Sequence, residues 1–76
     1  MPIRFRQAEV AQRGRARREQ LGRTLDQVAS KLGVSRKRLT EFERTGVGTL
    51  RRCADWADAL DMAPAVLAFG DAKAHS

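Results

Sequence analysis

The chain has 76 residues, 15 Lys or Arg against 9 Asp or Glu, and a single cysteine. That length supports one small domain with a modest core and leaves no room for a deep catalytic pocket between two lobes. At 42% hydrophobic residues the composition belongs to a folding chain and not to a disordered one. One cysteine, Cys53, excludes an internal disulfide and a cysteine-rich zinc site, and a free thiol fits a reducing, cytoplasmic setting. No stretch approaches the ~20 apolar residues of a membrane span. The start, Met1-Pro2-Ile3-Arg4-Phe5-Arg6, lacks the apolar run of a secretion signal.

Location says more than the sum. Residues 1–44 carry twelve basic and five acidic side chains (+7), residues 45–76 three and four (−1), which together give the net +6. Twelve of the fifteen cations are arginine, whose planar fork suits phosphates and guanine edges better than the point charge of lysine. A solvated basic face and a polyanion site both fit this placement, and among polyanions nucleic acid fits better than membrane.

In chain order, residues 7–21 are predicted as a first helix with Val10, Gly14 and Leu21 as a thin apolar stripe, partly covered by arginine stems. Gly22 closes it. Thr24 caps a second helix, and Gln27 three residues on completes a capping-box pattern. Leu25, Val28, Ala29 and Leu32 then form one apolar face. Gly33 ends that helix, Val34 enters a tight turn, and Ser35 caps a third helix running to about Arg44. Thr49 caps a fourth, with Leu50, Cys53, Ala54, Trp56, Ala57 and Leu60 expected inside. Pro64 starts a short fifth element, Pro64–Phe69, whose apolar run reads equally as helix or strand. Residues 71–76 read as a flexible tail.

Two short helices joined by a glycine turn, the second rich in basic residues, form the outline of a helix-turn-helix over residues 24–44. On a helical wheel, Leu39 and Phe42 share one side of the third helix. Arg36, Lys37, Thr40, Glu41 and Arg44 share the other, with Arg38 at the flank. That polar face has the chemistry of a major-groove reader. Arg36 or Lys37 can donate to guanine O6 and N7, Glu41 can accept from cytosine N4, and the Thr40 methyl can meet a thymine methyl. A glutamate repels a phosphate backbone, so its presence fits base reading, or orientation of Lys37 or Arg38 through a side-chain pair.

Residues 18–62 resemble the Cro/CI-type helix-turn-helix, the Xre family of bacterial and phage repressors. The matching residues are Arg18, Gly22, Thr24, Ala29, Gly33-Val34-Ser35, Leu39, Glu43 and Leu60. The resemblance implies an all-α, five-element, lambda-repressor-like domain at residues 1–70. It also implies an Arg18–Glu43 salt bridge between the first and third helices. Arg15, Arg18, Thr24, Arg38 and Arg44 are the expected phosphate contacts. Three features depart from the family. Leu25 stands where a phosphate-binding glutamine is usual, so backbone N–H groups around Thr24–Asp26 would take that role. The loop Arg44-Thr45-Gly46-Val47-Gly48 lacks the common proline, and its glycines fit a tight turn better than close approach to DNA. Gly14 and Arg17 replace aliphatic residues of the first helix. The short loop, Thr49-Leu50, Leu60-Asp61-Met62 and Asp71-Ala72-Lys73 bring the chain towards the HipB-like antitoxins within the same family.

Elsewhere, Cys53 reads as a small core residue and His75 as a lone tail residue rather than a ligand. Asp55, Asp58 and Asp61 read as the solvated face of the fourth helix. No set of catalytic groups stands out, so no enzyme activity, metal or cofactor is expected. The expected function is sequence-specific binding of double-stranded DNA by a homodimeric repressor, autoregulatory by the family resemblance, reading the major groove with residues 35–44. Trp56, Val66, Leu67 and Phe69 are the expected dimer contact, Trp56 being alternatively a core residue. The alternative is an antitoxin that neutralises a toxin partner protein and regulates its own operon; an RNA-binding or nonspecific nucleoid protein is a further rival.

Overall fold

A computed structural model describes residues 6–70. The expected tail at 71–76, with His75, and the segment Asp71-Ala72-Lys73 lie outside the described residues. Five helices and no strand occur among them: α1 Gln7–Gln20, α2 Leu25–Leu32, α3 Arg36–Thr45, α4 Leu50–Ala59 and α5 Pro64–Phe69. The run that could be helix or strand is therefore a helix, with Pro64 in its first turn, where a missing N–H costs nothing. None of the helices is long and apolar enough to cross a membrane.

The helix starts follow their capping residues. Thr24 accepts from the Gln27 backbone N–H while the Gln27 side chain accepts from the Thr24 N–H, a complete capping box. Ser35 and Thr49 cap α3 and α4 through the first of these bonds alone, their hydroxyl oxygens accepting from Arg38 N and Arg52 N. Gly33 stops α2 with φ of +81°, in the left-handed region where glycine carries no steric cost. Val10, Val28, Leu39, Cys53, Trp56, Leu60 and Leu67 form the heart of the core, all at 0% exposure. Burial pushes the Cys53 thiol up from its ordinary value, in keeping with a core residue.

Three placements differ from the sequence reading. Leu50 and Ala54, both expected inside, are 41% exposed and only partly buried respectively, because α4 turns its Cys53, Trp56, Ala57 and Leu60 side inward and includes Ala59 in the buried set. Asp61 is not on the solvated face of α4. It lies beyond the helix with φ of +53°, a conformation that Asp tolerates better than most residues. There its carboxylate accepts from Arg23 at 2.6 Å and from Lys31 at 3.2 Å.

The greatest departure is how α1 packs. Its apolar stripe is thin, and Val10, Ala11 and Gly14 are its buried residues. Gly14 makes room for the Trp56 indole: a Cβ there would come within 3.0 Å of three indole carbons. Trp56 also meets Phe42 at 5.6 Å between ring centroids, tilted by 49°. Its indole N–H is buried without a hydrogen-bond partner, so its position is set by shape and apolar contact. Two arginines of α1 complete the docking. Arg13 donates to the carbonyls of Leu67 and Ala68, both at 2.8 Å, and Arg17 to those of Leu60 and Asp61, at 3.1 and 3.0 Å. Arg23 adds a bond to Ala59 O at 2.9 Å. These carbonyls lie at the C-terminal ends of α4 and α5, helices with no basic residue in their own last turns. Guanidinium groups supplied by α1 and the following loop thus satisfy the orphan carbonyls and oppose the negative ends of the helix dipoles.

Two outcomes test this packing. Helix propensity alone would make Gly14→Ala stabilising by roughly 0.5–1 kcal/mol. The indole contact reverses the sign, with an expected loss of about 1–3 kcal/mol in urea unfolding followed by Trp56 fluorescence. Hydrogen bonds from Arg23 and then Lys31 hold the Asp61 carboxyl below its ordinary value. Its stabilisation is therefore fully present above the unfolded-state value near pH 4 and lost as pH falls through the lower folded value. Asp61→Asn should be the less stable protein at pH 7, and the difference between the two melting temperatures should close on acidification.

Candidate nucleic-acid interface

The turn between α2 and α3 fixes the angle at which α3 is presented. Ala29, where the two helices meet, is 3% exposed, and its carbonyl accepts from Gly33 N at 2.8 Å and Val34 N at 3.0 Å. Leu39 and Phe42, at 0% and 8% exposure, anchor the inner side of α3. The outer side carries Arg36, Lys37, Arg38, Thr40, Glu41 and Arg44, all exposed. Every residue expected to read bases is thus on the accessible face of one helix.

Local contacts differentiate these side chains. The Thr40 hydroxyl donates to Arg36 O at 2.9 Å, which commits the oxygen to the backbone and leaves the methyl as the contact group. Glu41 makes no ion pair among the described residues, so it orients neither Lys37 nor Arg38. Arg38 lies over the Phe42 ring at 5.7 Å, a cation–π contact that ties it to the flank. Arg36 approaches Asp26, in the first turn of α2, at 3.8 Å. That pair is exposed and weak, and nothing in the sequence pattern pointed to it.

Beside this face Arg15, Arg18, Leu25, Thr40, Glu43 and Arg44 line an open recess of about 290 Å³. Three of the five expected phosphate contacts, Arg15, Arg18 and Arg44, are therefore brought together; Thr24 and Arg38 lie outside this lining. Arg18 and Glu43 form the expected ion pair as a two-pronged contact, Nε to Oε2 at 2.6 Å and Nη2 to Oε1 at 3.1 Å. Their side chains are 14% and 8% exposed. A third bond, from Arg18 Nη1 to Arg23 O at 3.0 Å, uses another of the guanidinium's five N–H donors and leaves two uncommitted. Hydrogen bonding to Glu43 raises the Arg18 value and outweighs the desolvation that lowers it, so the group stays charged. Thr24 is committed to the capping box through both its hydroxyl oxygen and its N–H. A phosphate at this end of α2 would thus meet the N–H groups of Leu25 and Asp26, which have no intrahelical partner. Leu25 packs partly against the core, the role that replaces a polar contact there.

The loop after α3 is pinned by the protein itself. Gly46 has φ of +85°, and a Cβ on it would overlap the Gln7 backbone. Its glycine serves the approach to α1, in line with a tight turn. Two of the expected dimer contacts are corrected. Trp56 and Leu67 are both at 0% exposure inside the protomer and offer no surface to a second copy, whereas Val66 is half-buried and Phe69 is 46% exposed. Trp56 sits in the slot that Gly14 opens, and Leu67 faces the core from α5. Sequence reasoning also missed that Arg13, Arg17 and Arg23 face helix carbonyls. A signal was present: α4 and α5 lack basic last turns of their own.

A helix with one buried and one polar, cationic face, set behind a glycine turn and flanked by a basic recess, defines a helix-turn-helix DNA-binding protein. A helix-turn-helix family model (HTH_3) matches residues 15–67. The chain belongs to that family, the Cro/CI or Xre type of DNA-binding transcriptional regulators. Among solved structures it is similar to the restriction-modification controller protein C.AhdI from Aeromonas hydrophila. The two are 28% identical, over 79% of this chain and 92% of that one, with a TM-score of 0.71. The P22 c2 repressor, solved in complex with a synthetic operator, is also 28% identical, over 82% and 96%, with a TM-score of 0.70. SinR, a master regulator for biofilm formation solved in complex with DNA, is 25% identical over 76% and 95%, with a TM-score of 0.67. No curated protein matches the chain by sequence.

Removal of one partner from the Arg18–Glu43 pair leaves a largely buried charge. Arg18→Ala should therefore cost about 3 kcal/mol in urea unfolding, well beyond the loss from the exposed Arg15–Glu19 pair in Arg15→Ala.

Proposed function

We propose that the protein is a homodimeric transcriptional repressor that binds a two-fold symmetric operator sequence-specifically and reads each half-site in the major groove with α3. The observation that carries this reading is the outer face of α3, where Arg36, Lys37, Thr40 and Glu41 stand exposed while Leu39 and Phe42 anchor the opposite side. Arg36 and Lys37 supply donors for guanine, Glu41 an acceptor for cytosine, and Thr40 a methyl for thymine. Arg15, Arg44 and the free N–H groups of Arg18 hold the phosphate backbone and set the register. The resemblance to the P22 c2 repressor and SinR, both solved with DNA, supports duplex DNA as the ligand.

Homodimer formation follows from the size of the reader. A single ten-residue helix meets only a few base pairs, and two-fold pairing doubles the readout at half-sites ~34 Å apart. Repression is then steric: a dimer seated across a promoter excludes polymerase, and a promoter of its own would make the circuit autoregulatory.

Selection of bound duplexes from a random pool tests the reading directly. The expected product is a symmetric motif bound ~10³-fold or more tightly than scrambled duplex. Binding of all sequences alike, with one steep salt dependence, would overturn it. Within the motif, Arg36→Ala should cost about 1–3 kcal/mol and relax one base position. Arg15→Ala should weaken selected and random duplexes by the same factor, as measured by fluorescence anisotropy.

A further inference from the structure

Among the described residues most carboxylates are paired with a cation: Glu9, Glu19 and Glu43 on α1 and α3, Asp61 after α4, and Asp26 at a longer distance. Away from the reading face the exceptions are Asp55 and Asp58, both exposed on α4. Arg51 and Arg52 on the same helix are also exposed and make no ion pair. Arg51, Ala54, Asp55 and Asp58 recur at i, i+3, i+4 and i+7, which places them on one side of α4. That side lies opposite the buried Cys53, Trp56, Ala57 and Leu60.

The charges on this face run against the helix that carries them. α4 has no acidic residue in its first turn and no basic residue in its last. Instead Arg51 and Arg52 follow the Thr49 cap, where the dipole is positive, and Asp58 precedes the C-terminal residue Ala59, where it is negative. The Arg51–Asp55 spacing, with the cation nearer the N-terminus, is also the poorer orientation for an i,i+4 pair. Both ends of the helix therefore carry the sign that the protomer alone stabilises least.

We propose that this face of α4 pairs with the same face of a second copy, antiparallel across a two-fold axis that passes between Ala54 and Asp55. The inference rests on the homodimer of the proposed function and assigns its contact. Arg51 and Asp58 are equidistant from that axis, so Arg51 of each protomer meets Asp58 of the other. Each cation then sits at the C-terminal end of the partner's helix, each carboxylate at the N-terminal end, and the two helix dipoles run opposed. Ala54 beside the axis is small enough to let the helix axes approach closely, and the exposed Leu50 at the edge supplies apolar contact. The two Asp55 carboxylates, also beside the axis, are like charges that subtract from the pairing and keep it weak. The self-complementary pattern, residue i meeting j and j meeting i, is the requirement of an isologous interface. A ten-residue helix is only about 15 Å long, so the contact is smaller than a standard interface and the free dimer dissociates in the micromolar range.

Sedimentation of the full chain without DNA, over a micromolar concentration series, tests the pairing with Arg51→Glu, Asp58→Arg and the two combined. Each single reversal sets like charges opposite each other at two symmetric places and should weaken self-association about ten-fold or more. The double exchange restores opposite charges and should return it to within about three-fold of the parent. Both single changes match the dipole of α4 better than the parent does, and in Arg51→Glu this gain is offset by a like charge four residues before Asp55, so thermal melts should stay close to the parent's, which separates lost pairing from lost fold. Equal association in all four proteins, or single defects that the double exchange does not repair, would overturn the α4 contact while the homodimer stands. The same holds if Arg51→Glu impairs only DNA binding, the result expected of a phosphate contact. A parent chain that remains monomeric both free and on its selected duplex would remove the homodimer itself.

Discussion

The structure depends on a helix that has little apolar surface of its own. α1 contributes Val10, Ala11 and Gly14 to the interior and otherwise consists largely of charge. It is held by two devices that act at right angles to hydrophobic patterning. One is the slot at Gly14 that admits the Trp56 indole, so that a residue without a side chain creates the contact. The other is the use of Arg13 and Arg17 as C-terminal caps for α5 and α4. A hydrogen bond from a charged donor to a part-buried carbonyl is worth roughly 1.5–3 kcal/mol, comparable to burial of an aliphatic side chain. A polar helix can thus be docked as firmly as an apolar one, provided that its arginines find helix ends.

This mode of docking decides how much of the protein's charge is left for a ligand. Arg13, Arg17, Arg18 and Arg23 are engaged with carbonyls or with Glu43, and Lys31 with Asp61. The cations on or beside α3, Arg15, Arg36, Lys37, Arg38 and Arg44, remain exposed. Arg18–Glu43 then couples the two sets. It ties α1 to the side of α3 next to the recess, so this salt bridge adds to the α2–α3 turn in holding α3, and its neighbours in the recess are the exposed cations Arg15 and Arg44. Fold and binding surface share this pair, and its effect on either is felt by the other.

Much of the fold was legible in the sequence because its signals are local. Thr24 with Gln27, Ser35, Thr49, Gly33 and Pro64 each act within a few residues, and each stands at the helix end it marks. The polar face of α3 was legible for the same reason, since a wheel needs only the helix. What was not legible depends on contacts between distant residues. Charge counting over the first 44 residues could not tell a phosphate-binding arginine from one that caps a helix more than forty positions away. Leu50 lies outside the buried stripe and Ala59 inside it because helix periodicity fixes the width of such a stripe but not its edges. Trp56 and Leu67 looked like contact residues by type, whereas the slot at Gly14 and the packing of α5 absorb them completely.

The carboxylate of Glu41 follows from the same economy of charge. Nonspecific affinity for a duplex grows with every cation on the binding face and is indifferent to base sequence. Under the proposed function, an unpaired glutamate among Arg36, Lys37 and Arg44 opposes binding to every duplex and is compensated only where a base edge offers it a donor. Its cost therefore falls more heavily on wrong sites than on right ones, which is how a repulsive element creates specificity. A ten-residue reader has few positions for attractive contacts, and the competing sites in a genome are numerous, so the ratio of specific to nonspecific binding matters more than either affinity alone. On so small a face, under the proposed function, one misplaced charge discriminates at the expense of affinity, and a second copy of the reader restores what is lost.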